Sequence, residues 1–300
     1  MSAIEPDSPL VSVVIISKDE PALATTLVDV TAQAAAYPEP VEIIVVDASS
    51  GRLDEIRRGA PTVRWIDFPS VPGVRVTIPH QRNVGVRASE GQVAVFTDCA
   101  CYPEPDWLER LVAPILAGEE DVVSGATLSA GRTGVYDDPR YQPRSEYLEE
   151  CATITLAFRR SVFDSVGGFD ERFEYGSDVD FTWRIRDAGT RIRHEPAAVV
   201  RHDWEHARRR LRRSYVYGQA RARLYLKHRS RLRTLPKSDP MLLVYPLFLL
   251  GLPVAVFFPA YLLLLAIPLW RSRSHKPFDV LVDHLAYGVG ALRELARAVR

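Results

Sequence analysis

Cysteine is scarce in this chain, and so is any sign of export. Its three cysteines, Cys99, Cys101 and Cys151, are an odd set, the amino terminus is polar up to Pro9, and the apolar run 11–16 is too short for a signal-peptide core. A disulfide framework is therefore not expected, and a reducing compartment is. Net charge is lacking as well, with 38 Lys and Arg set against 38 Asp and Glu. The charge is unevenly placed: 207–238 holds twelve basic residues and no acid, while 241–270 holds no charged residue at all. That pairing reads as a soluble domain followed by a membrane-associated tail, and the apolar run favours lipid over nucleic acid as partner of the arginines.

What is present is enough for a sizeable core, since 47% of the 300 residues are hydrophobic, and the length allows one or two domains. Residues 11–16 and 41–46 are nearly continuous β-branched runs, as in strands covered on both faces. Leu23, Leu27, Val30 and Ala34 recur between them at helical spacing. A third strand is expected at 62–66, a short helix ends near Ala88 with Gly91 as its cap, and a fourth strand covers 93–98. Strand, helix, strand repeated with Asp47 and Asp98 at strand ends describes a doubly wound, largely parallel α/β sheet that binds a nucleotide. Either acid, taken alone, could instead start a turn. Thr153, Thr155 and Ala157 alternate as in a strand, and 127–150 reads as an irregular insertion, either a mobile substrate loop or a disordered excursion.

Several ordered signatures now carry a resemblance. Residues 11–16, then Val45-Val46-Asp47-Ala48-Ser49, Arg82-Asn83 with Gly85, Phe96-Thr97-Asp98 with Pro103, Gly167-Gly168-Phe169-Asp170-Glu171, and 175–184 resemble the family 2 glycosyltransferases. The resemblance implies the GT-A fold, a Rossmann-like mixed sheet that binds a nucleotide sugar, over roughly 10–230. It places Ser17, Glu20, Asp47, Arg82, Asn83 and Asp98 on the donor, Asp170, Glu171 and Trp183 toward the acceptor, and Asp178 as the base of an inverting transfer. It also implies a divalent cation, Mn or Mg, at Asp98, with His202 as second ligand or else a surface histidine. Two departures stand out. Ala100 replaces the second acid of the family's Asp-x-Asp motif and removes an oxygen ligand, and Ser177 replaces the acid before Asp178. Cys99 and Cys101 make a poor substitute site and read as core residues.

The tail completes the expected domains: catalytic 1–205, a basic interfacial helix 206–239, a hydrophobic membrane segment 240–270 and an amphipathic helix 271–300. Leu211, Tyr215, Gly218, Ala222 and Leu226 would face an anionic membrane, and Leu281, Leu285, Val289, Leu292 and Ala296 would form the last helix's apolar stripe. Pro246, Pro253, Pro259 and Pro268 interrupt the membrane segment, which leaves a re-entrant hairpin and one tilted span both open. The family's processive Gln-x-x-Arg-Trp motif is missing, so the expected activity is transfer of one sugar to a glycan or polyprenyl-type lipid-linked acceptor at the cytoplasmic membrane face. A scaffold or nucleotide-binding subunit with impaired chemistry is the alternative.

Overall fold

The computed structural model describes residues 10–68, 75–130, 142–143, 145–202, 210–271 and 277–299. The chain divides into two compact units, Met1–Trp204 and Glu205–Arg300.

The first unit is built on one mixed sheet. β1 (Val11–Ser17), β2 (Val41–Asp47), β3 (Arg64–Asp67) and β4 (Val93–Asp98) are parallel and lie in the order β3-β2-β1-β4. Their near-continuous Val and Ile runs fit this position, since both faces of β1 and β4 are covered and their apolar side chains, apart from half-buried Ile16, are buried. α1 (Leu23–Ala36) and α4 (Trp107–Leu116) cover one face around Val13, Ile15 and Val95. α3 (Ile78–Ala88), α5 (Arg160–Val166) and α6 (Ser177–Asp187) contribute to the other around Val14, Phe96 and Phe158. α2 (Asp54–Gly59) joins β2 to β3. The sheet then turns antiparallel: β8 (Leu156–Arg159) pairs with β4 and with β6 (Val122–Ser129). β9 (Ile192–His202) runs parallel to β6 and antiparallel to β5 (Cys101–Pro103) and β7 (Tyr147–Leu148).

Some local expectations change. Gly91 is not the cap of α3, which Ser89 supplies in an extended conformation. Gly91 instead lets the chain pass against β1, where a Cβ would stand 2.4 Å from Ser12 Oγ. Thr153–Thr155 forms a 3-10 turn rather than a strand, because Thr155 Oγ1 turns inward to accept the indole N–H of buried Trp107 at 2.9 Å. Of the insertion, 131–141 and 144 lie outside the described residues.

The second unit is helical. α7 (Arg210–Lys227) and α12 (Pro277–Ala298) cross closely, since a Cβ on Gly218 would stand 1.9 Å from the Tyr287 carbonyl and one on Gly290 1.9 Å from that of Tyr215. Charge follows the same seam: Arg210 pairs with Asp279 and Asp283, and Arg223 with Glu294. The expected lipid-facing stripe of α7 is corrected accordingly, because Gly218 and Ala222 are buried within the unit and part of the arginine charge is met internally. The buried face of α12 is Leu281, Gly288, Gly290, Ala291 and Glu294, not the predicted register through Val289 and Ala296. Between the pair, α8 (Leu235–Ser238), α9 (Met241–Leu250), α10 (Val254–Phe257), a 3-10 segment Pro259–Leu265 and α11 (Ala266–Arg271) follow in short pieces. The prolines break the segment, and among the described residues no helix is long and apolar enough to cross a membrane.

Candidate active site

The register of the parallel strands assembles the site. Ser17 pairs with Asp47 across β1 and β2, and Ile16 with Asp98 across β1 and β4. Three adjacent strands thus end together, with the chain leaving β1 through α1 to β2 on one side and the chain leaving β4 to β5 on the other. In open α/β sheets that reversal creates the crevice in which ligands bind.

Each acid in the crevice has a partner that fixes it. Asp47 is buried, and its Oδ1 accepts the backbone N–H and the hydroxyl of Ser49 at 3.1 and 2.5 Å. The Ser49 hydroxyl oxygen in turn accepts the backbone N–H of Asp19 at 2.7 Å, and Asp19 pairs with Arg52 at 2.6 Å. The Arg52 guanidinium holds the Asp19 carboxyl below its ordinary value. Asp19, Ser49 and Arg52 were not singled out from sequence, although a serine two residues after an aspartate is the spacing of an Asx turn. Ser17 is buried, its carbonyl accepting from the side-chain amide of Gln81, and Glu20 is exposed in the loop beyond.

Asp98 is paired with Arg82 at 3.1 Å. The guanidinium is buried and lies 5.7 Å from the Phe96 ring centroid and 5.8 Å from that of Phe169. Held this way, Arg82 acts through Asp98, fixing the acid's position. The side chain of Asn83, expected on the donor, is bonded to Phe169 and Glu171. Its amide donates to the Phe169 carbonyl and to Glu171, both at 2.9 Å, while its Oδ1 accepts the Phe169 N–H at 2.8 Å. All three bonds hold the Gly-Gly-Phe-Asp-Glu loop. Within that loop Glu171 is tied to Asn83, and Asp170 forms a two-pronged pair with Arg172.

Asp178 occupies the first turn of α6, where its Oδ1 accepts the Val179 N–H at 2.9 Å and the helix N-terminus favours an anion. Asp180 points into the core and pairs with Arg184 at 2.9 Å, a structural role. Trp183 is also buried, and its indole donates to Glu150 at 2.9 Å. Next to Glu150, burial and the Asp178 and Glu150 charges push the Cys151 thiol up to about 12. Glu150 was missed in the sequence because nothing local marks it; only folding brings it to α6. The two halves of the site are joined underneath by an aromatic cluster. Phe169 stacks on Phe181 at 4.2 Å and meets Phe96 edge-on at 5.6 Å, so the strand carrying Asp98 and the helix carrying Asp178 share one packed base.

The residues do not complete a cation site. Asp98 is engaged by Arg82, Ala100 offers no oxygen, and burial pushes the Cys99 thiol up to about 12, which keeps it protonated at neutral pH. His202 lies opposite Cys101 in the β5–β9 register. Among the described residues, no group of three or more His, Cys, Asp or Glu side chains could hold a metal.

A family model for glycosyl transferase family 2 matches residues 12–215. The chain belongs to that family. Among similar proteins is the pre-mycofactocin glycosyltransferase of Mycobacterium tuberculosis, 31% identical over 188 residues, covering 57% of this chain and 39% of that relative. The N-acetylglucosaminyl-diphospho-decaprenol L-rhamnosyltransferase of the same organism is 38% identical over 76 residues, 25% of each chain. The chain thus spans well under half the length of these curated relatives. In fold, it matches the mannosyltransferase PcManGT from Pyrobaculum calidifontis, solved with GDP-Man and Mn2+, at a TM-score of 0.67 and 20% identity over 97% of this chain and 89% of that one. The fold of this family 2 chain is accordingly a GT-A-like mixed α/β sheet.

Proposed function

We propose that this protein is an inverting glycosyltransferase that moves one sugar from a nucleotide-diphosphate sugar to a glycan or lipid-linked acceptor at the cytoplasmic face of a membrane. The observation that carries this reading is the pairing of a donor crevice at the ends of β1, β2 and β4 with a carboxylate, Asp178, fixed across the same aromatic base. Asp47 and Asp98 address the nucleoside side of the donor, positioned by Ser49 and Arg82. Asp178 takes the proton from the acceptor hydroxyl. The acceptor oxygen forms its bond to the anomeric carbon as the bond to the diphosphate breaks on the opposite face, and the nucleoside diphosphate leaves with that electron pair. Asp98 and His202 are the side chains that a Mn or Mg ion arriving with the diphosphate would meet. A lipid-linked acceptor is supported by the decaprenol-linked substrate in one relative's name and by the apolar surface of the helical unit. The basic flank at 207–238 is what supports a seat on the side of the membrane where nucleotide sugars are made.

Asp178→Asn tests the reading. The expected result is a fall in kcat of about 10²–10⁴-fold with nucleotide affinity nearly unchanged. Retained turnover would rule out Asp178 as the base. The absence of any nucleotide binding in the parent protein, with Mn or with chelator, would favour the second reading, a scaffold that kept the fold, which the loss of acids at Ala100 and Ser177 motivates.

A further inference from the structure

The helical unit carries an apolar surface that the catalytic chemistry does not use. After α9 the chain reverses, and the reversal is clipped from within: the Tyr261 ring stacks on Phe248 at 5.2 Å, and its hydroxyl donates to the Phe248 carbonyl at 2.9 Å. Gly251 leaves the space for that ring, since a Cβ there would stand 2.3 Å from the Tyr261 oxygen. The outcome is a hairpin whose tip has no apolar cover. Phe257 is 91% exposed and Val256 78%, with Leu263 at 71% and Trp270 at 67% along the returning arm. No charged residue interrupts 241–270. Immediately before it, Arg229, Arg233 and Lys237 are exposed and have no ion pair among the described residues, in contrast to Arg210, Arg221 and Arg223 of α7.

From this arrangement we propose that the Met241–Arg271 hairpin seats the protein in one leaflet of an anionic bilayer, tip-first, with Arg229, Arg233 and Lys237 on the headgroups. The inference deepens the membrane part of the function proposed above and rests on it. Three features select lipid as the occupant. The base of the apolar hairpin and the unpaired cations adjoin in sequence, which matches the boundary between acyl chains and anionic headgroups. The arms are short: α9 has 10 residues, a helix of about 15 Å against a hydrocarbon core of roughly 30 Å. The turns also leave backbone groups that hydrocarbon could not satisfy, which limits the seat to the interfacial zone. Trp270, at the end of the returning arm, is a side chain suited to that zone.

The test is flotation of the full chain with vesicles of phosphatidylcholine alone and of phosphatidylcholine mixed with phosphatidylglycerol, together with quenching of tryptophan emission by brominated lipid. The expected result is binding to the mixed vesicles, quenching strongest for bromines placed shallowly, and at least a roughly 10-fold loss of partition in Phe257→Glu. Arg233→Glu with Lys237→Glu should weaken binding to the anionic vesicles alone. Binding to neither vesicle, or unchanged partition in Phe257→Glu, would overturn the proposal. So would a stable dimer that Phe257→Glu dissociates, since the tip would then be covered by a second copy. Transfer to a water-soluble acceptor analogue, measured on the same variants, keeps the two readings apart: if it persists while vesicle binding fails, the membrane seat alone is wrong.

Discussion

Removing the side-chain amide of Asn83 should cost stability before it costs donor binding. That amide serves both backbone groups of buried Phe169 and one oxygen of Glu171, with three bonds of 2.8 to 2.9 Å. Asn83→Ala leaves the Phe169 N–H and C=O without partners beneath the aromatic cluster, where each unsatisfied group costs about 1–3 kcal/mol. The sum, about 2–6 kcal/mol, is a large share of the roughly 5–15 kcal/mol that holds a domain folded. Asn83→Asp keeps the shape and the bond from the Phe169 N–H, but sets a carboxylate oxygen against the Phe169 carbonyl and the Glu171 carboxylate. The folded state would raise the pKa of that new acid, so its deficit relative to the parent should shrink as the pH falls and the carboxyl regains a proton to donate. Urea midpoints of the full chain at neutral and mildly acidic pH, with nucleotide affinity by calorimetry, check both variants. A loss below about 1 kcal/mol in Asn83→Ala would refute the reasoning. So would an unchanged midpoint combined with lost nucleotide affinity, which would return Asn83 to the donor site.

Gly218→Leu should separate α7 from α12, because its first side-chain carbon would already overlap the Tyr287 carbonyl. A penalty above about 2 kcal/mol is expected, read as faster hydrogen exchange across Arg210–Lys227 with exchange in the sheet unchanged. His284 is half-buried beside Tyr245, whose hydroxyl lies 2.7 Å from its Nδ1, and this partial burial lowers its pKa below the ordinary 6.5. The unfolded chain therefore takes up that proton more readily, so the stability His284 provides is present above about pH 6.5 and is lost as the pH falls below it. Thermal melts across this range should show the loss, and His284→Gln should flatten it; an equal slope in the variant would count against the assignment.

The parallel half of the sheet was readable because unbroken β-branched runs have few other places to go, and an acid ending each run marked the crevice without knowledge of the fold. Arg82 was readable as a residue of the donor side, but not its pairing with Asp98 or the Phe96 and Phe169 rings beside its guanidinium, which only the fold brings together. Asn83 could not be placed, since its partners lie 86 and 88 residues away and no local pattern encodes them. The turn at Thr153–Thr155 was hidden for a similar reason: alternation describes strand spacing, whereas the bond to Trp107 is made across the core. On α12 the periodicity of large apolar residues marked the wrong face, because the helix contact is made through glycine backbone.

Position 100 carries alanine where the family's motif has an acid. A second carboxylate there would add one cation ligand and also one negative charge facing the donor's diphosphate. Ala100 removes both, and its positive φ of 59° keeps the turn that brings Cys101 into β5. The remaining acids of the crevice are already met from within: Asp98 by Arg82, Asp47 by the Ser49 hydroxyl and amide, and Asp19 by Arg52. Under the proposed function, a diphosphate arriving here would encounter less uncompensated negative charge than a pair of bare carboxylates would present, so a weaker dependence of its binding on a metal ion is expected. What the substitution takes from the cation it also takes from the repulsion that the cation would have relieved.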